Sequence, residues 1–404
     1  MQRATALAGR VCATVGLLVA GATAASADDT KYNFDIYGFA MADFIGDTNR
    51  VDPAWEDAFR PSKIATYPGE FGSDGQVDGS VKQSRFGVTG NLPLSDDWGA
   101  IKFKFEFDLF GVGVDEGQTT FRLRHAYGEW GPLLAGQTNS VFMDIDVFPN
   151  VIDYWGPPGM VFLRNPQIRV TPWQTDNSSF AFAIERPSND IDPGTIREFD
   201  PDLGNNIQND ELLPDLTLHY LTNGDWGHFQ LAGILRRVGY DTENTPDNEP
   251  KGAALGWGVN ATGHLAVLDK DKLIGAVVYG EGIASYMNDG GVDLAAQGTL
   301  PNDVHPKAVP LLGVVAYYDH YWSDAFSSSI GYSFTKVDNT NLQEPTAFQK
   351  GQYASVNLLW TPVKNLLLGG ELLWGKRTDF DGLNGDDFRL QLSVKYDFST
   401  SITI

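Results

Sequence analysis

The chain has 404 residues, with 52 acidic against 29 basic side chains and a formal net charge of −23. That balance excludes nucleic acid as a partner, because binding phosphate backbones needs a basic footprint. Beyond the N-terminus there is no cysteine and no run of about 18 apolar residues, which excludes disulfides, cysteine-ligated metals and membrane-spanning helices, while a mean hydropathy of −0.22 suits a membrane barrel that shows lipid only every second residue.

Residues 1–27 read as a secretory signal. Arg3 and Arg10 give the positive start, residues 11–24 the short apolar run, and Ala25-Ser26-Ala27 an A-x-A cleavage pattern before Asp28. Cys12 lies within the apolar run, too early for a lipoprotein cysteine. The chain from 28 to 404 is expected to form one domain, with the first strand starting near Tyr32.

The period of the sequence carries the fold. Ile101, Phe103, Phe105, Phe107 and Leu109 alternate with Lys102, Lys104, Glu106 and Asp108. Phe121, Leu123 and Tyr127 alternate with Arg122, Arg124 and Ala126, which puts His125 on the lipid side with Leu123. Near the C-terminus Phe388, Leu390, Leu392, Val394, Tyr396 and Phe398 alternate with Arg389, Gln391, Ser393, Lys395 and Asp397. Strict period two over about ten residues is the pattern of a strand with one oily and one wet face, long enough to cross a bilayer at a tilt. Trp98, Trp130, Trp226, Trp322, Trp360 and Trp374 fall near strand ends, the positions of an interfacial girdle. Short turns are expected at 91–99, 131–132, 174–177, 223–225, 268–271, 322–324 and 361–365. Longer Gly/Pro-rich loops are expected at 46–80, 111–118, 138–165, 187–213, 241–252, 284–310, 337–351 and 376–386. Short turns on one side and long loops on the other predict an all-β, transmembrane antiparallel barrel of about 16 strands in an outer membrane.

Two constellations bear on function. Parity places Arg85, Lys102, Lys104, Arg122, Arg124 and Arg389 on the wet face, as a basic ladder lining the lumen. Stacked like charges repel, and a wall that attracts anions explains tolerating that repulsion. The competing reading is neutralisation by Glu106, Asp108 and loop acids. The second constellation is the loop 138–165, stiffened by Pro149, Pro157 and Pro158 and long enough to fold inward as a constriction. Asp144, Asp146 and Asp153 are its candidates for facing the arginines, and Tyr154 and Trp155 for contacting a solute. The acidic segment around Asp190 and Asp192 starts like a calcium loop, but Gly194 and Pro201 occupy ligand positions, so a solvated surface is expected. No G-x-S-x-G or H-E-x-x-H occurs around any of the six histidines, and neither an enzyme, a cofactor nor a metal is read from the sequence.

Residues 84–169 also resemble a known family. The carriers are Ser84-Arg85-Phe86-Gly87-Val88, Phe121-Arg122-Leu123-Arg124-His125-Ala126-Tyr127-Gly128, and Leu134-Ala135-Gly136-Gln137-Thr138-Asn139-Ser140. They continue in Asn150 to Gly159, with Tyr154-Trp155-Gly156-Pro157-Pro158-Gly159, and in Arg164-Asn165-Pro166-Gln167-Ile168-Arg169. This stretch is similar to the DcaP-like trimeric outer-membrane porins. The resemblance implies a 16-stranded homotrimeric barrel with an inward third loop, taking up small anions, dicarboxylates among them. Arg169 then joins the pore-lining set and Arg164 the constriction loop. The chain departs from the family in having no room for an N-terminal coiled-coil extension and in ending Phe398-Ser399-Thr400-Ser401-Ile402-Thr403-Ile404, without the usual terminal aromatic. The expected function is diffusion of small, anionic solutes across an outer membrane whose lipid and lipopolysaccharide surround the barrel. The alternatives are a carbohydrate-type porin or a secreted soluble β-rich hydrolase or binding protein.

Overall fold

A computed structural model describes residues 32–95 and 98–404. The expected signal at 1–27 lies outside them. Sixteen antiparallel strands form one closed sheet. In chain order they are β1 (Asn33–Asp47), β2 in two segments (Gln76–Ser80 and Arg85–Ser95), β3 (Gly99–Phe110), β4 (Thr119–Trp130) and β5 (Leu133–Asn139). Next come β6 (Arg164–Gln174), β7 (Ser178–Glu185), β8 (Asp215–Gly224), β9 (Gly227–Thr242), β10 (Gly252–Val267) and β11 (Asp271–Glu281). The last are β12 (Pro310–Tyr321), β13 (Phe326–Val337), β14 (Phe348–Val363), β15 (Leu366–Asp379) and β16 (Asn384–Thr403). β1 pairs with β16 from Asn33–Thr403 to Asp47–Arg389, so the barrel has no open edge.

The alternation read from the sequence is the alternation of burial. Along β16, Phe388, Leu390, Leu392 and Val394 are exposed, while Asp387, Arg389, Gln391 and Ser393 are buried. A soluble protein would reverse this. Exposed apolar side chains ring the barrel, as a wall whose outer solvent is lipid requires. Trp98 stacks on Trp130, Trp173 on Tyr220, and Trp360 on Phe326. All lie beside the short turns, at one rim, where an amphipathic ring bridges lipid and water. Trp374 lies on the opposite, long-loop side.

Eight loops connect the strands on that side: L1 (48–75), L2 (111–118), L3 (140–163), L4 (186–214), L5 (243–251), L6 (282–309), L7 (338–347) and L8 (380–383). A small sheet of Leu294–Thr299, Asp303–Ala308 and Ile191–Asp192 joins L6 to L4 above the barrel wall.

One element departs from the expected parity. The register of β3 and β4 shifts between Glu106 and Phe107, so Glu106 faces His125 while Phe107 faces Leu123. This β-bulge inserts Arg124 as an extra residue and inverts the alternation beyond it. His125 is therefore buried, its Nδ1 3.0 Å from Thr138 Oγ1, not lipid-facing as period two alone would have it.

Candidate functional site

L3 runs along the inside of the barrel, and its backbone is held strand by strand. Asn260 donates to Phe142 O at 3.0 Å and Gln230 to Met143 O at 3.1 Å. Asn150 N faces Asp319, Ile152 N donates to Glu371 at 2.8 Å, and Gln83 and Gln391 both donate to Ile152 O. Tyr154 then donates to Asp108 at 2.6 Å. These partners belong to β9, β10, β12, β15, β16 and β3 and to the break in β2, so the loop follows the wall most of the way round. On its return Gly159 N donates to Ser333 at 2.9 Å, and a Cβ on Gly159 would stand 2.3 Å from Phe334 O. Backbone lies directly on wall there, and only glycine fits. Lumen-facing polar side chains thus satisfy the loop's amides and carbonyls, which burial would otherwise leave unpaired.

The basic wall is built on β3 and β4. Asp108 receives Arg122 through Nε at 3.0 Å and Nη2 at 2.6 Å, a two-point pair, and Arg124 Nη1 at 2.9 Å. Glu106 receives Arg124 Nε at 2.7 Å, and Lys104 Nζ and Arg85 Nε lie 3.2 and 3.6 Å from it. Two carboxylates therefore hold four cations. The acids sit at alternate positions of β3: Glu106 reaches Lys104 on its own strand, Arg85 on β2 and Arg124 on β4, whereas Asp108 reaches Arg122 and Arg124 across the ladder on β4.

Sequence reasoning missed the other side of this wall. L1 also enters the barrel, burying Phe59 and Ile64 against Tyr353, Leu373 and Met160. It carries Arg60 between the rings of Trp55 and Trp155, 4.1 and 4.3 Å from their centroids, and 3.0 Å from Asp289 of L6. A cavity of about 450 Å³ opens here, lined among others by Arg60, Arg122, Arg164, Tyr154, Trp155 and Asn288. Arg164 reaches no carboxylate within 4.0 Å among the described residues, and its guanidinium lies over Phe162. Asp190 and Asp289 also line the cavity.

The remaining expected residues fall elsewhere. Arg389 faces inward but is only 1% exposed, closed in by Asp47 at 2.6 Å and by Glu56 O of L1 at 2.7 Å. It does not line open lumen, because L1 covers it. Asp144 pairs with His228 at 2.9 Å and with Thr262 instead of an arginine. Burial works to raise the Asp144 carboxyl, but those hydrogen bonds outweigh it and hold it below the usual range. Asp153 accepts from the amides of Phe59 and Gly156, so it fastens L3 to L1. Burial pushes the Asp153 carboxyl up, against the pull of Arg389 and of those amides. Asp146 is exposed and meets no arginine within 4.0 Å among the described residues. The acids that face the arginines of the basic wall and its cavity are Glu106, Asp108 and Asp289. Lys102 is exposed near the short-turn rim, opposite Glu129, and Arg169 is half-buried on β6. Neither forms an ion pair among the described residues. The loop partners Arg60, Asn288 and Asp289 left no signal of periodicity, since loops have none.

A closed barrel of sixteen strands with an oily exterior and a loop laid along its inner wall is an outer-membrane channel. Residues 22–398 match the model of the family described as DcaP outer membrane protein, and the chain belongs to that family. It is a channel, not an enzyme. Among solved structures it is similar to the outer membrane channel DcaP of Acinetobacter baumannii, at 23% identity and a TM-score of 0.77, over 93% of this chain and 99% of that one. It is similar in fold to an anion-selective porin from Comamonas acidovorans, at 10% identity and a TM-score of 0.55, over 91% of this chain and all of that one (100%). The trimer form of OmpT from Vibrio cholerae matches at 13% identity and a TM-score of 0.51, over 91% and 99%. No curated protein matches.

Proposed function

We propose that this outer-membrane channel favours small anions, with dicarboxylates among its preferred solutes, and that L3 and L1 narrow the lumen against the basic wall. The observation that carries the reading is Arg164, a cavity-lining cation with no carboxylate partner among the described residues. Around it, Arg60, Arg85, Lys104, Arg122 and Arg124 make six cations against the four carboxylates Glu106, Asp108, Asp190 and Asp289. The local excess is positive although the chain is strongly acidic. Acids in the outer loops are screened within about 8–10 Å at physiological salt, whereas a solute in a narrow passage feels the wall beside it. Guanidinium groups at Arg60, Arg122 and Arg164 suit a solute with a carboxylate at each end, since each can donate two charge-assisted hydrogen bonds.

A carbohydrate channel would need open aromatic faces. Here Trp55 and Trp155 carry Arg60, and Tyr154 is stacked on Phe110 with Arg122 over it, so the anion reading is preferred. Homotrimeric assembly and contact with lipopolysaccharide accompany the proposal as its partner chemistry. The test is a planar-bilayer recording across a potassium chloride gradient, followed by succinate in place of chloride. A reversal potential on the chloride side supports the reading. Preference for potassium at moderate salt would overturn it.

A further inference from the structure

Away from the basic wall, where L3 meets β9, a second polar group is unused by this reading. Asp144 and Asp146 of L3 meet His228 of β9, and one ligand atom from each lies within 4.8 Å of the others. Asp144 Oδ2 is 2.9 Å from His228 Nε2, and Asp146 Oδ2 is 3.9 Å from His228 Nδ1. Asp144 and His228 are almost fully buried, whereas Asp146 opens to solvent. Directly across the β9–β10 ladder, His264 lies opposite His228, with ring centroids 5.6 Å apart and planes 18° from parallel. The His264 Nδ1 is buried and has no hydrogen-bond partner among the described residues. A buried imidazole nitrogen left without a partner calls for a water or an ion nearby.

We propose that Asp144, Asp146 and His228 form a binding site for one divalent transition-metal ion of the zinc class. Imidazole with carboxylate is the donor set for zinc and its neighbours, not for calcium or magnesium, which prefer oxygen alone. Two donors each about 2.1 Å from a tetrahedral zinc stand about 3.4 Å apart, so Asp144 and His228, 2.9 Å apart in their hydrogen bond, separate by about half an ångström to admit the ion. Asp146, at the surface, is free to turn and offers the ion its approach. Water fills the remaining position, with His264 Nδ1 as a neighbouring acceptor for it. Lys272 of β11 acts on His228 electrostatically, and two aspartates outweigh it. Binding releases the proton that His228 Nε2 now shares with Asp144. The bound ion would neutralise both aspartates and tie residues 144–146 of L3 to the wall.

The test is calorimetric titration of zinc chloride into the folded full-length barrel in detergent, with magnesium chloride as the comparison. One saturable zinc per chain is expected, with no matching magnesium isotherm. Asp146→Asn should weaken zinc at least tenfold and His228→Gln should abolish it, while His320→Gln and His305→Gln leave it unchanged. His320 is the informative control, because it pairs with Asp271 at 2.6 Å near the short-turn rim. If His228→Gln fails to fold, as judged by loss of heat-modifiable gel mobility, Asp146→Asn decides, since it removes a ligand from an exposed position. Absence of saturable zinc binding, equal affinity for magnesium, or loss in His320→Gln with retention in Asp146→Asn would overturn the proposal. In that case the cluster is a hydrogen-bonded clasp for L3.

Discussion

Two sets of arginines point into this barrel, and they behave differently. Arg236 and Arg389 are fully enclosed. Arg236 lies 3.2 Å from both Asp215 and Asp293 and donates to Ser188 O and Asn189 of L4, and Arg389 is clamped by Asp47. Arg122 and Arg164 are partly open and line a cavity. The first set ties loops to the wall. In the second, Asp108 holds Arg122 at the cavity wall, and Arg164, with no carboxylate within 4.0 Å among the described residues, is free to meet a solute. Facing inward is therefore a property of the strand, while meeting water is a property of the loops above it.

The comparison breaks most visibly through stability. Removing one partner of a buried ion pair costs about 3–5 kcal/mol. Arg236→Gln is expected to lose most of its folded, heat-modifiable form, whereas Arg164→Gln should fold normally. Comparable folding of the two variants would erase the distinction. A second contrast is between the faces of one strand. Phe105 is 49% exposed and outward, and Phe105→Arg should cost about 2–4 kcal/mol at the bilayer midplane. Lys104→Gln, on the inner face, should leave assembly intact in the same refolding assay.

The open set is sharpened by selectivity. Arg164→Gln should move the reversal potential towards cations without changing folded yield, and Arg389→Gln, in whatever fraction folds, should not move it. The smallest effect on conduction is expected for Tyr154→Phe, which removes a hydrogen bond to Asp108 and one from Arg124, bonds to charged groups worth about 1.5–3 kcal/mol each. The variant should stay folded, and single-channel noise is the measurement that reports whether L3 has loosened.

These contrasts mark what was legible in the sequence. Strand count and turn–loop alternation were, because a lipid-exposed wall enforces period two along strands such as Ile101–Leu109. Arg85, Lys104, Arg122 and Arg124 could be placed on the inner face for the same reason. Their partner acids could be named only as a competing possibility, since period two puts Glu106 and Asp108 on the same face as the cations without saying which side chains meet. Arg389 was misread because parity cannot see L1 folding over it. His125 was misread because one extra residue at a bulge reverses the alternation and carries no local mark. Arg60, Asn288 and Asp289 were missed because loop contacts join segments far apart in the chain: Arg60 and Asp289 are separated by 229 positions.

The seam between β1 and β16 sets the order of events in assembly. Thr403 hydrogen-bonds to Asn33 across 370 positions, whereas each hairpin closes through a short turn. Hairpins can form as the chain is delivered, but the sheet carries two unpaired edges until its final strand arrives. Such edges template association with other chains, and contacts this distant in sequence form slowly. The vulnerable species is the nearly complete, unclosed sheet. Protection during biogenesis is needed longest at the edge of β1 turned away from β2, which is made first and paired last.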